Sequence, residues 1–189
     1  MSIKSFFGLA AAGIILSSCQ SDTYQINGFA QEFQEGDTIC MTLEDNPAKI
    51  IGSAIVSNGK FAMAGTTDTI LLCRIYPKQL PKAAVTCFSE PGSITIELHC
   101  PPNPSRVSGT LINNDWQQLN DSVLLMGKEL IRITQMTSNT SDSIHLSHLN
   151  AVDSLHRRIS NCILNTAKRN SNNALGKYIE KNYKEPEFK

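Results

Sequence analysis

The chain has 189 residues, with 17 Lys and Arg against 17 Asp and Glu, so its formal net charge is zero. Phosphate binding needs a concentrated positive face, and no basic block exists to make one, which argues against nucleic acid as a partner. The length suits one ordinary domain or two small units, and aromatic residues are sparse, with Trp116 the sole tryptophan.

The N-terminus comes first. Lys4 gives a short positive start, and an apolar run from Phe6 to Leu16 follows, interrupted by Gly8 and Gly13. A permanent helix across about 30 Å of hydrocarbon takes about 20 apolar residues, so this run is too short to span. It fits the core of a secretory signal peptide. The closing Leu16-Ser17-Ser18-Cys19 resembles a bacterial lipobox, in which the cysteine takes a diacylglycerol, the peptide before it is cut, and the new N-terminus is acylated. A single chain binds a membrane only marginally, at about 0.8 kcal/mol per buried methylene; three on Cys19 would hold. Residues 1–18 are therefore expected to be a signal peptide and 19–23 a lipidated tether. The expected address is the cell envelope, on the periplasmic or cell-surface face of the outer membrane, with the lipid as the membrane contact. An ordinary secreted protein with a chance cysteine after its signal is the alternative.

From Tyr24 to Asn113 the pattern is β. Ile39, Met41 and Leu43 alternate with Cys40 and Thr42, and Ile94, Ile96 and Leu98 alternate with Thr95 and Glu97; period-two alternation turns one face to a core and the other to water. Strands are predicted at Gln25–Phe33, Thr38–Glu44, Ser53–Ser57, Lys60–Gly65, Ile70–Tyr76, Ala83–Ser89, Ser93–His99 and Arg106–Ile112. Asn58-Gly59 is the strongest hairpin signal, since both residues readily take the positive φ of a type I′ turn. Pro91-Gly92 makes a second turn, and Pro77, Pro81 and Pro101-Pro102 punctuate between strands. About eight short strands at this spacing predict an antiparallel sandwich over 24–113.

From Asn114 the period changes. Trp116, Leu119, Val123, Met126, Leu130 and Ile133 fall on one helical stripe, with Asn114 or Asp115 as candidate cap. Ser138–Ser141 reads as a turn, with Asp142 or Ser143 capping a second helix. Its stripe is Leu149, Val152, His156, Ile159 and Ile163, widened by Leu155 and Cys162. Matching stripes and a short polar link predict an antiparallel helical hairpin. Asn170–Asn173 breaks it, and Ala174–Tyr183 reads as a further short helix. The fold class is thus α+β, a β-sandwich followed by a helical region over 114–189.

If Cys19 is lipidated, Cys40, Cys73, Cys87, Cys100 and Cys162 remain. An exported protein meets an oxidising compartment, and an odd number leaves at least one thiol without an intramolecular partner. Cys73 and Cys87, in consecutive strand-like runs, are the candidate disulfide; buried unpaired thiols acting as small apolar residues are the alternative. No Cys-x-x-Cys occurs, so the usual redox motif and a zinc-ligand cluster are both missing. His145 and His148 stand one helical turn apart with His156 beyond, a spacing that suits helix packing better than a metal site with its further ligands. No serine sits in a Gly-x-Ser-x-Gly turn. Glu44 and Asp45, adjacent at a strand end, point to opposite faces, and no glycine loop cradles phosphate.

An Asp-Ser/Thr-aliphatic triplet recurs five times, at Asp37-Thr38-Ile39, Asp68-Thr69-Ile70, Asp121-Ser122-Val123, Asp142-Ser143-Ile144 and Asp153-Ser154-Leu155. It is similar to the acceptor signature of a general O-glycosylation system in some bacteria. That makes Thr38, Thr69, Ser122, Ser143 and Ser154 candidate acceptors, whose glycans would solubilise a tethered domain. Strand starts and helix caps account for the same triplets without a glycan.

Three segments carry a resemblance to a known family. They are Ser53-Ala54 with Val56, Asn58-Gly59-Lys60-Phe61 and Gly65; Glu90-Pro91-Gly92-Ser93-Ile94-Thr95-Ile96; and Val107-Ser108-Gly109-Thr110 with Asn113 and Asn114. In this order they resemble the domain of unknown function 4369, a bacterial lipoprotein domain that usually precedes a thioredoxin-like domain of the peroxiredoxin or thiol-disulfide oxidoreductase type. The resemblance runs from Tyr24 to Tyr183, and Asn170–Gly176 is similar to the stretch leading into the thioredoxin-like domain. The chain stops where that domain would begin, so the family's enzymatic half does not carry over and no catalytic residue comes with it.

The expected function is a non-catalytic, lipid-anchored binding or interaction module of the cell envelope, without cofactor or metal. Its partner is an envelope protein or a ligand. A glycan- or nutrient-binding lipoprotein and an enzyme with an unrecognised site are the alternatives.

Overall fold

The computed structural model describes residues 22–137 and 142–184. Eight strands lead: β1 (Thr23–Phe29), β2 (Thr38–Leu43), β3 (Asn46–Ile55), β4 (Lys60–Thr66), β5 (Leu72–Pro77), β6 (Val85–Phe88), β7 (Gly92–Glu97) and β8 (Arg106–Ser108). Three helices follow: α1 (Leu111–Thr137), α2 (Asp142–Arg169) and α3 (Ala174–Asn182). The predicted α+β order, a sandwich and then helices, is what the chain adopts.

The strands form two four-stranded sheets, one ordered β4-β1-β7-β8 and the other β3-β2-β5-β6. Their facing sides bury one apolar core that includes Ile26, Ile39, Met41, Ile75, Ile94, Ile96 and Val107. The alternating positions read from the sequence supply it, since every second side chain of a strand faces the same way. The ladders are antiparallel except that β1 and β7 run parallel, from Tyr24 opposite Gly92 to Phe29 opposite Glu97. A parallel pair needs a long crossover, and here the whole second sheet lies between the two strands.

Three local expectations change. Asn58 and Gly59 do take positive φ, 51° and 67°, and the Ser57 and Lys60 backbones exchange hydrogen bonds of 2.8 and 3.0 Å. Beyond that single bridge the arms diverge, because β3 pairs with β2 in one sheet and β4 with β1 in the other. Strand β3 starts at Asn46 rather than Ser53. Pro47 hides its first half in the sequence, yet an edge strand tolerates a missing N–H. The strand predicted over Arg106–Ile112 ends at Ser108. Gly109 takes φ 107°, and α1 begins at Leu111, so Asn114 and Asp115 lie inside the helix. A carboxylate from elsewhere serves its first turn, where the Ile112 N–H donates to Glu90 Oε2 at 2.9 Å.

The helices run antiparallel, and Asn170 at the end of α2 donates to Asp115 in the first turns of α1 at 2.8 Å. Their striped faces, with α3, bury a second core of Phe88, Ile112, Leu119, Ala167, Leu175 and Ile179. Asn173, in the predicted break, caps α3 by accepting from the Leu175 and Gly176 amides. No described helix is long and apolar enough to cross a membrane.

Candidate functional site

Strand β6 is the hinge between the two cores. The side chain of Asn113, fully buried, accepts from the Phe88 N–H at 2.8 Å and donates to the Phe88 carbonyl at 2.9 Å and to Thr110 Oγ1 at 2.8 Å. Its amide therefore pairs with Phe88 as a neighbouring strand would. One residue pair away, Trp116 Nε1 donates to Thr86 Oγ1 at 3.0 Å. Phe88, Trp116 and Tyr178 meet edge to face with centroids 5.7 to 6.2 Å from one another, a favoured aromatic geometry. Arg106 reaches Asp121 with both guanidinium nitrogens, and Gln117 joins Asp121 to the Val107 amide. Burial works against the Asp121 charge, but hydrogen bonds from Arg106 and Gln117 hold its carboxyl below the usual range.

At one end of the sandwich lies a cleft of about 290 Å³ lined by Phe29, Gln31, Glu32, Glu97, Leu98 and His99. Glu32 Oε1 is 2.8 Å from His99 Nδ1, and its other oxygen accepts from the Cys100 N–H at 2.8 Å. The His99 hydrogen bond, reinforced by the Cys100 amide, lowers the Glu32 pKa from its ordinary 4.5. Burial, with the neighbouring carboxylate, pushes the Cys100 thiol up. A nucleophilic cysteine needs the opposite shift. The arrangement orients an imidazole and ties the β1–β2 loop to the β7–β8 loop; it does not activate the thiol. Sequence reasoning passed over this pair because its members stand 67 positions apart and no local motif links them.

The flank away from the helices is different. Strand β3 pairs only with β2 among the described strands and is exposed along most of its length. Ile50, Ile51 and Ile55 are 52 %, 43 % and 56 % exposed. A long edge with aliphatic side chains and free backbone hydrogen-bonding groups is a template for a further strand. A second apolar groove, about 540 Å³, lies between Ile70–Leu72 and Phe88 on one side and Ala174, Lys177 and Tyr178 on the other.

The candidate residues from the sequence scatter over these regions. Cys19 lies outside the described residues, as do the side chains of Ser143 and His145. Thr38 opens β2 half-buried, Thr69 is exposed before β5, and Ser154 is exposed on α2. Ser122, half-buried on α1, donates to the Gln118 carbonyl at 2.8 Å. Cys73 and Cys87 stand directly opposite each other on β5 and β6, both buried and both free thiols. Burial pushes the Cys73 thiol up to about 12, with Asp45 adding to it, and burial likewise raises Cys87. His148 and His156 are half-buried on α2. Among the described residues no three of His, Cys, Asp and Glu come together in a way that suits a metal ion.

No curated protein matches the chain. The family model described as "Domain of unknown function (DUF4369)" matches residues 24–116, which take in the whole sandwich and α1 as far as Trp116. The sequence resemblance set at Tyr24–Tyr183 is matched over that N-terminal stretch, and across residues 24–116 the chain belongs to the DUF4369 family.

Proposed function

We propose that the protein is a non-catalytic interaction module, held to the cell envelope by a lipid on Cys19, that docks an extended segment of another envelope protein on β3. The observation that carries this is the open edge itself. Ile50, Ile51 and Ile55 stand exposed on a strand with one sheet neighbour among the described strands; Pro47, Lys49 and the register shift around Ile51 blunt its first half, whereas residues 52–55 pair regularly with β2 and carry no charge. Backbone pairing supplies affinity in strand addition and the alternating side chains supply selectivity. The thiols favour the non-catalytic reading: Cys73, Cys87 and Cys100 are all shifted away from thiolate, which is unsuited to thiol exchange.

A photo-reactive residue in place of Ile51, in cells labelled with an alkyne fatty acid, tests both halves. The expected result is a lipid-labelled product cross-linked to an extended segment of one partner chain, with no such adduct when the probe replaces Lys168 on the helices. Adducts with a second copy alone would make the edge a self-association surface and overturn the docking role. An unlabelled, freely soluble product would overturn the anchor.

A further inference from the structure

We propose that Cys73 and Cys87 close into a cross-strand disulfide when the chain folds in the presence of a disulfide oxidant, and that this bond fastens the strand carrying the helical layer to the sandwich. Occupancy in the cell rests on the exported address proposed above; the chemistry does not.

The register argues for the bond. In the β5–β6 ladder Leu72 faces Phe88 and Cys73 faces Cys87. The Ser89 N–H donates to the Leu71 carbonyl at 2.9 Å, so the Leu71 and Ser89 positions form a hydrogen-bonded pair. Two residues along, Cys73 and Cys87 form the next one. Such pairs set their Cα atoms about 5.5 Å apart, inside the range that disulfides span, while their Cβ atoms stand wider than the roughly 3.5–4.5 Å of a closed bond, so closure draws β5 and β6 together locally. Both side chains turn inward to the same core, at 1 % and 0 % exposure. The remaining described thiols have no comparable partner. Cys40 lies on the opposite face of its sheet, one residue from inward-facing Met41. Cys100 lies beyond β7 and Cys162 on α2.

The position gives the bond a mechanical role. Strand β6 has four residues, and among the described strands β5 is its only sheet neighbour. The residues on either side of Cys87 hold the helices, Thr86 through Trp116 and Phe88 through Asn113 and the aromatic trio. Cys87 itself points the other way, into the sandwich. A bond to Cys73 therefore ties the attachment strand from behind.

The step balances as Cys73–SH plus Cys87–SH plus RSSR giving the internal disulfide plus two RSH. One thiolate attacks the oxidant and expels RS⁻. The second thiolate attacks the mixed disulfide and expels another RS⁻, and the two cysteine protons end on the two leaving thiols. Burial keeps thiolate scarce once the sandwich has closed, so the bond forms during folding or when β6 opens.

The test is to refold the reduced, purified chain in a buffer of oxidised and reduced glutathione, block free thiols with a maleimide after denaturation, and map the peptides. The Cys73 and Cys87 peptides are expected to be joined, with Cys40, Cys100 and Cys162 labelled. Free Cys73 and Cys87, or pairing with another thiol, would overturn the proposal. Because alanine at either site leaves a core void, the mechanical half is read on the unmutated chain. Amide exchange in β6 and the first turns of α1 is expected to be on the order of tenfold slower in the oxidised form than after reduction. Equal exchange in the two forms would overturn that half. If the bond forms in the refolding buffer while protein drawn from its native cells carries both thiols free, it is the exported address that fails.

Discussion

The two flanks of the sandwich are built on opposite principles. On one, β6 and β8 end the sheets, and α1 lies between them with Asn113, Trp116 and Gln117 satisfying the exposed strand groups. On the other, β3 ends its sheet with isoleucines facing solvent. An edge strand carries the same unpaired backbone groups wherever it lies. The chain covers one flank with its own helix and leaves β3 exposed on the other, and that contrast is what the proposed docking role rests on.

The largest expected effect breaks the closed flank. Trp116→Ala removes the ring that borders both apolar cores and should cost about 3–5 kcal/mol, as large-to-small core changes do; urea unfolding followed by far-UV circular dichroism measures it. Asn113→Leu keeps most of the volume but strands the buried Phe88 N–H and carbonyl, at about 3 kcal/mol for the two. If it proves neutral, the amide is not acting as a surrogate strand.

The next effect lies at the end that both flanks share. The Glu32 pKa is lowered in the folded state, so its contribution is present above the ordinary value of 4.5 and lost as pH falls through the lowered one. Melting curves of the protein and of Glu32→Gln should differ at neutral pH and converge as the pH falls from 4.5 through the lowered value. The smallest effect on stability belongs to the open flank. Ile50→Thr and Ile55→Thr, each with the probe kept at position 51, should shift unfolding by no more than about 0.5 kcal/mol, while weakening the proposed cross-link. A large loss of stability would mean that β3 belongs to the core rather than forming a docking edge.

Much of this design was legible in the sequence. The period-two runs located inward residues such as Ile39, Ile94 and Ile96, and the helical stripe placed Leu119 and Trp116 against a core. Asn58-Gly59 marked a real turn and Asn170–Asn173 a real break, in which Asn173 caps α3; the cap expected at Asn114 or Asp115 falls inside α1. The candidate sites were less legible. Glu32 and His99, or Glu90 and the first turn of α1, meet across long sequence separations, and no local pattern announces such a meeting. The β3 edge was masked by Pro47, because the rule that demotes proline in strands does not know which strands lie at an edge.

The sequence by itself determined the kind and order of the elements, since side-chain periodicity and turn chemistry act over a few neighbouring residues. Only the tertiary structure decided that β1 runs parallel to β7, that the Asn58-Gly59 turn sends its arms to different sheets, and that Cys73 faces Cys87. Those outcomes depend on which distant surfaces bury each other best, a competition between whole faces that no single segment encodes.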